Sequence, residues 1–258
     1  MKIVVCMKQV VDLAQLRFRS DGRTPVLDNA PLLLGSFDKN ALEAAVRIRE
    51  AGAPTQVIAL SVGAGRARES IKEALAMGAD EAVVVDDAAL AGSDAATSAR
   101  VLAAAIRRIG SVDLILMGEG SDDEYTGQVP ARVAALLNMP QITYARELQV
   151  EPGGVVRATR DLEDVLEVVE CAAPVVVSVT GELNTPRIPP LTAIMRAGKK
   201  PLQAWTLADL GDALVPIQVE QRSNLAPVQT RKNVRFEGSL QEQVAALLAA
   251  LEQDGLLP

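Results

Sequence analysis

No histidine occurs anywhere in this 258-residue sequence. Its absence excludes Ser-His-Asp and Cys-His triads and every metal site that needs an imidazole. If the chain takes part in redox chemistry, a bound group must carry the electrons. Aromatic residues are nearly as scarce, with one Trp, two Tyr and three Phe, and the formal net charge is −7. A chain with few rings to stack bases and no positive field to draw a phosphate backbone is not expected to bind nucleic acid. Cys6 and Cys171 stand far apart. That spacing excludes a CxxC redox motif and disfavours a disulfide framework, so both thiols are expected to be buried. No metal site is expected either. No apolar run approaches the roughly 20 residues needed to cross a bilayer, so no membrane insertion is expected. The opening MKIVVCMKQV has no basic region ahead of a long apolar stretch and reads as a first buried strand of a cytoplasmic protein.

What is present is an alternation. Ile3-Val4-Val5-Cys6, Gln56 to Leu60, Ala82 to Val85 and Asp113 to Met117 are short, nearly continuous apolar runs. Such runs suit strands of a parallel sheet covered on both faces. Helices are expected between and after them over Lys39–Ala51, Ala67–Met77, Ala95–Ile109 and Gly127–Leu137. Gly52, Gly78 and Gly110 stand where a left-handed residue closes a helix. The pattern predicts an α/β fold with a doubly wound, mainly parallel, Rossmann-like sheet over residues 1–180. Within it, Pro152-Gly153-Gly154 and Leu162-Glu163-Asp164 are turn signals that mark a β-meander at about 145–172. The meander feeds a last strand at Val175–Val179. Residues 181–258 read as an extended arm, because no clear core element follows Thr180 until Ser239. There a Ser239/Glu242 capping box opens a helix with Leu240, Val244, Leu247, Leu248 and Leu251 on one stripe. With so little core nearby, that stripe is expected to face another chain.

A doubly wound sheet binds ligands at the carboxyl ends of its strands, where the strand order reverses. Three segments fall there: Cys6-Met7-Lys8, Gly63-Ala64-Gly65 and GEGSDDEYTGQVP at 118–130. The glycine pair is not a complete dinucleotide fingerprint, since position 68 is Arg, and a plain strand-to-helix turn fits it as well as phosphate contact. The third segment leads into a helix whose first turn is expected to hold Thr126, Gly127, Gln128 and Val129. Its free N–H groups and positive dipole end suit a phosphate, with the Thr126 hydroxyl as an added donor. The triplet Asp122-Asp123-Glu124 opposes an anion unless its carboxylates point outward or share a cation. A solvated acidic loop that merely caps a helix stays open on these residues alone.

The chain resembles the β subunits of electron transfer flavoproteins over nearly its whole length. The resemblance is carried by VVCMKQVVD, FDKNALEAAVRIRE, ESIKEALAMGADEAVVV, VDLILMG, ATRDLEDVLEVVECAAPVVVS and ELNTPRIPPLTAIMRAGKKP. It implies an electron-carrier subunit rather than an enzyme, in a heterodimer whose α subunit holds most of the FAD site. It also implies a structural AMP in this subunit, with contacts carrying over to Cys6, Gly35, Ser36, Phe37, Asp38 and Val62. The rest of that site would be Gly118, Glu119, Gly120, Ser121, Asp122, Asp123, Glu124, Tyr125, Thr126, Gly127 and Gln128. The loop at 182–201 would be the surface that docks flavin dehydrogenases such as acyl-CoA dehydrogenases, through Pro190, Leu191, Thr192, Ile194 and Met195. Leu191 would be its anchor, and Lys199 and Lys200 would steer acidic partners. Two departures bear on the details. The 118–128 loop has the length seen in relatives that bifurcate electrons and hold a second FAD here in place of AMP. Leu13 stands where many relatives have a tyrosine near the α-subunit flavin. A stand-alone adenine-nucleotide-binding module is the alternative from another class.

Overall fold

The computed structural model describes residues 1–52, 54–65, 67–211, 217–228 and 231–257, without the side chains of 67–69. The strands are β1 (Lys2–Cys6), β2 (Gln9–Val11), β3 (Arg17–Phe18), β4 (Pro25–Val26), β5 (Leu32–Leu34), β6 (Gln56–Gly63) and β7 (Glu81–Asp86). They continue as β8 (Leu114–Gly118), β9 (Gln141–Val150), β10 (Val155–Asp161), β11 (Leu166–Ala172), β12 (Val175–Val179) and β13 (Leu202–Trp205). The helices are α1 (Ser36–Glu50), α2 (Ala67–Met77), α3 (Ala95–Ile109), α4 (Val129–Leu137), α5 (Leu191–Ala197) and α6 (Leu240–Gln253).

A nine-stranded sheet runs in the order β11-β10-β9-β12-β8-β1-β6-β7-β13. From β9 to β13 every neighbouring pair is parallel. β10 runs antiparallel to both β9 and β11, which is the expected meander. The central strands are apolar on both faces because both are covered. Ile3, Val5, Val57 and Ala59 pack with Leu42, Val46, Ile71 and Leu75 of α1 and α2. Val4, Ile58 and Leu60 pack on the other side with Leu102 and Ile106 of α3 and Val133 of α4. The chain leaves β1 toward β6 and β7, then crosses back to β8 on the opposite flank. The reversal of strand order therefore lies between the carboxyl ends of β1 and β8, where ligands of doubly wound sheets bind.

Three expectations need correction. The first concerns 181–258, whose residues 212–216, 229, 230 and 258 lie outside the described residues. The chain divides into two compact units, residues 1–17 with 26–223 and residues 18–25 with 224–258, so the boundary does not fall at 180. The reason is β13, which pairs Leu202–Trp205 with Ala82–Val85 of β7 and so adds residues after 180 to the sheet, at the edge opposite the meander. Four residues without their own periodicity do not announce a strand; a partner does. The second concerns α4, which starts at Val129 rather than Gly127. Gly127 has φ +64 and so cannot begin the helix, while Pro130 fits the first turn, where its missing N–H costs nothing. The third concerns the thiols: Cys6 is buried, but Cys171 is only half-buried.

In the second unit α6 is opened by the expected capping box, with Glu242 accepting from Ser239 N at 2.8 Å. None of its residues is buried, and Leu240, Val244, Leu247 and Leu248 are exposed. No helix of the described residues is long and apolar enough to cross a membrane.

The join of α1 and α2 depends on Gly78, which follows α2 at φ +135. A Cβ there would stand 3.0 Å from Val46 Cγ2 and 3.2 Å from Val46 Cγ1. Gly78→Ala is therefore expected to lower unfolding free energy by about 1–3 kcal/mol, from both backbone strain and overpacking. Urea denaturation of the variant beside the parent chain measures it.

Candidate functional site at the strand-order reversal

A cavity of about 500 Å³ opens at the carboxyl ends of β1, β6 and β8. That lies within the roughly 300–1,000 Å³ typical of cofactor sites. Its floor is held by one side chain. Asp38, in the first turn of α1, accepts from the backbone N–H of Lys8 at 2.7 Å and from that of Gly118 at 3.1 Å. One carboxylate thus ties the end of β1 to the end of β8 and both to α1. Gly118 is required for this close approach, because a Cβ there would meet Asp38 Oδ1 and Phe37 Cβ at 2.7 Å each. Burial pushes the Asp38 carboxyl up to about 7 against the pull of its two amide donors, with the neighbouring Asp122 adding to the rise. Burial likewise pushes the Cys6 thiol up, with the Asp38 charge adding to it, so Cys6 lines the cavity as an inert thiol.

The acidic triplet is disposed of piece by piece. Asp122 turns away and accepts from Ser36 N at 2.7 Å and from the Ser36 hydroxyl, serving the N-terminus of α1. Asp123 and Glu124 share the Lys8 ammonium, at 2.8 and 3.2 Å. Burial would lower Lys8, but these two carboxylates outweigh it and hold Lys8 above its usual range. Asp123 is correspondingly held below its own range despite burial. Glu119, raised by burial, accepts from the Tyr125 hydroxyl at 2.8 Å. The hydrogen bond to Glu119, with some burial, pushes the Tyr125 phenol up to about 12. The cation that the triplet needed is Lys8.

Of the residues implied for the nucleotide, Cys6, Asp38, Val62, Gly118, Glu119, Gly120, Ser121, Asp123, Glu124, Thr126, Gly127 and Gln128 line the cavity. Gly35, Ser36, Phe37, Asp122 and Tyr125 do not. Gly35 precedes α1, where a Cβ would press on Asp38 at 3.0 Å. Phe37 packs against Tyr125 with ring centroids 5.8 Å apart. The Tyr125 ring in turn covers Gly120, where a Cβ would lie 2.6 Å from it. These five build the wall from behind.

Met7 and Ala64, from the segments expected at the strand ends, line the cavity too; Gln9, Leu32 and the stretch Leu90–Ser93 with Ala95, Ser98 and Leu102 also line it and were not singled out as ligand contacts. The α3 members carried a signal, since Ser93-Asp94 ahead of an apolar helix marks an N-cap. Asp94 does cap α3, accepting from Thr97 N at 2.7 Å. The cavity is thus bordered by the first turns of two helices, α3 and α4, whose free N–H groups and dipoles favour an anion. Apolar Val62, Leu90, Leu102 and Met117 supply the surface a planar ring needs. An adenylate fits this set of donors and apolar walls. Among the described residues, no cluster of three or more His, Cys, Asp or Glu side chains is arranged to hold a metal ion.

The 182–201 loop is structured, not extended throughout. Pro190 precedes α5, on which Leu191, Ile194 and Met195 share an outward face at i, i+3 and i+4. Leu191 is 72% exposed, Thr192, Ile194 and Met195 are exposed, and Ile188 beside them is 91% exposed. Ala197 is buried on the opposite side. Lys200 is a correction to the expected steering role, because its ammonium donates to Leu75 O and Ala79 O at the C-terminal end of α2, at 2.9 and 2.6 Å. Leu13 lies exposed on a short turn after β2.

Fold and site together define a doubly wound α/β protein with a cofactor-sized cavity at its strand-order reversal. The electron transfer flavoprotein domain matches residues 26–210, and the chain belongs to that family. It is 36% identical over 211 residues, 82% of this chain and 80% of the relative, to the caffeyl-CoA reductase-Etf complex subunit CarD of Acetobacterium woodii.

Asp38 sets a pH dependence. In the unfolded chain it ionises near pH 4, but in the fold it keeps its proton to about pH 7. Between these values the folded state binds more protons, so the stability this group contributes is full below pH 4 and is lost as pH rises through 7. Urea midpoints from pH 4 to 8 should show this decline in the parent chain and a flatter profile in Asp38→Asn.

Proposed function

We propose that this chain is the β-type subunit of a heterodimeric electron transfer flavoprotein, passing electrons from flavin dehydrogenases to a downstream acceptor without catalytic residues of its own. It binds a structural AMP, while a partner α subunit holds most of the FAD site. The observation that carries the reading is the cavity at the ends of β1 and β8, with its Asp38-tied floor, apolar walls and two helix N-termini. Val62, Leu90, Leu102 and Met117 would hold the adenine there, and the first turn of α4 with Thr126 would hold the phosphate. Lys8 pairs with Asp123 and Glu124 and offsets one of their two negative charges, which lessens the loop's opposition to an anion. AMP stabilises the native state because only that state presents the cavity. Flavin bound in the complex supplies the one-electron chemistry; this chain contributes binding, orientation and docking. The exposed apolar stripe of α6 and the arm before it pack on the α subunit.

The outward face of α5 docks the dehydrogenase, with Leu191 entering an apolar pocket as a small hot spot. The Acetobacterium relative is a subunit of a complex with a caffeyl-CoA reductase. That favours an oxidoreductase of CoA esters as the docking partner, in keeping with acyl-CoA dehydrogenases.

A second reading rests on the cavity's extension along Ala91, Gly92, Ser93, Ala95 and Ser98, beyond the adenylate contacts proposed above. That extension gives room for the remainder of a second FAD, as in the electron-bifurcating relatives with a short 118–128 loop.

Mass spectrometry of nucleotides released from the denatured heterodimer separates these readings. One AMP and one FAD per heterodimer are expected; two FAD and no AMP would replace the first reading by the second, and no nucleotide at all would overturn both. For docking, Leu191→Ala is expected to leave folding and nucleotide content intact while slowing reduction by the dehydrogenase about tenfold or more, the scale of a hot-spot truncation. An unchanged rate would refute the anchor.

A further inference from the structure

The loop that presents Leu191 is fastened at both ends by polar side chains. On its N-terminal side, one face of α1 carries Asn40, Glu43, Arg47 and Glu50, spaced three, four and three apart. Asn40 Nδ2 donates to Asn184 O at 2.6 Å, and Asn184 Nδ2 donates back to Asn40 O at 2.9 Å. Arg187 then grips two carboxylates of the same helix. Its Nε and Nη2 donate to Glu43 at 2.7 and 3.2 Å, and its Nη1 and Nη2 donate to Glu50 at 2.7 and 2.9 Å. The Glu43 side chain is only 4% exposed and also accepts from Arg47 Nε at 2.6 Å. Burial pushes Glu43 up, but its bonds from Arg187 and Arg47 prevail and hold it below the usual carboxylate range. On the C-terminal side, Lys200 fastens the chain to the last turn of α2. Between the two fastenings stand Ile188, Leu191, Ile194 and Met195, all exposed.

A short apolar segment left free would collapse onto its own protein or sample many conformations, and docking would then bear the cost of ordering it. A planar guanidinium fork between two carboxylates suits the opposite task, since it fixes direction as well as distance. We propose that Arg187 is a positioning residue for partner docking: through Glu43 and Glu50 it holds Ile188 and the α5 face preorganised, away from the chain's own core. This rests on the docking function assigned above to the 182–201 loop. Arg187 does not line the cavity, so its proposed effect is on association and not on nucleotide binding.

The test uses the full chain in its heterodimer and an acyl-CoA dehydrogenase that reduces the wild-type complex. Arg187→Ala is expected to raise the KM for the heterodimer about tenfold at unchanged kcat and unchanged nucleotide content. Arg187→Lys, which keeps the charge without the fork, should fall between the two. Hydrogen exchange should quicken at amides 188–197 and stay unchanged in α3 and α4. Because Arg187→Ala leaves Glu43 buried with one partner fewer, the double variant Glu43→Gln/Arg187→Met repeats the measurement without that unpaired charge. If both variants keep wild-type KM and wild-type exchange at 188–197 while Leu191→Ala raises KM, the positioning role is wrong and docking stands. If Leu191→Ala also leaves KM unchanged, the docking assignment fails and this inference fails with it.

Discussion

The carboxylate of Asp38 is the joint on which this molecule turns. A parallel sheet has no turn connecting β1 to β8, which are distant in sequence and adjacent in space. Their carboxyl ends are held together by one buried acceptor that takes the N–H groups of Lys8 and Gly118. A buried carboxylate without donors would be costly, and two backbone amides offset part of that cost while defining the cavity floor. The arrangement accounts for its neighbours: Gly118 and Gly35 lack side chains because the carboxylate occupies the space a Cβ would need. Asp122 in turn accepts from Ser36 at the same start of α1.

From that joint α1 runs outward, and its two ends serve different regions. Its first turn closes the cavity, its apolar face with Leu42 and Val46 fills one half of the core, and its polar stripe from Asn40 to Glu50 receives the segment 184–187. The helix that shapes the candidate nucleotide site is therefore also the bed of the candidate docking loop. Both are features of one rigid element, so the geometry of each is inherited from the packing of the other.

The acidic loop shows how charge pattern misleads until a third residue is placed. Read along the chain, Asp122-Asp123-Glu124 is a block of like charge at the mouth of a site expected to take an anion. In space, Asp122 serves a helix start and the other two close on Lys8, more than a hundred positions away in sequence. Electrostatics is set by distance through space, and the pairing of Lys8 with this loop exists only because β1 and β8 are neighbours.

Much was legible in the residues themselves. The apolar runs of β1, β6, β7 and β8, the glycines that close helices, the Pro152-Gly153-Gly154 turn and the Ser239/Glu242 box are local consequences of side-chain volume, backbone freedom and hydrogen-bonding reach. Local physics acts on neighbours in the chain, so those elements, the doubly wound class and the position of the cavity at strand ends follow from sequence alone. The family resemblance named twelve of the residues that line the cavity. Tertiary structure alone decided the rest: that Leu202–Trp205 is a strand because β7 offers it hydrogen bonds, that Lys200 caps α2, that Leu90–Ser98 borders the cavity, and that Arg187 grips α1. Each is a contact between residues remote in sequence, and its energy exists only once packing has brought both partners within a few ångströms.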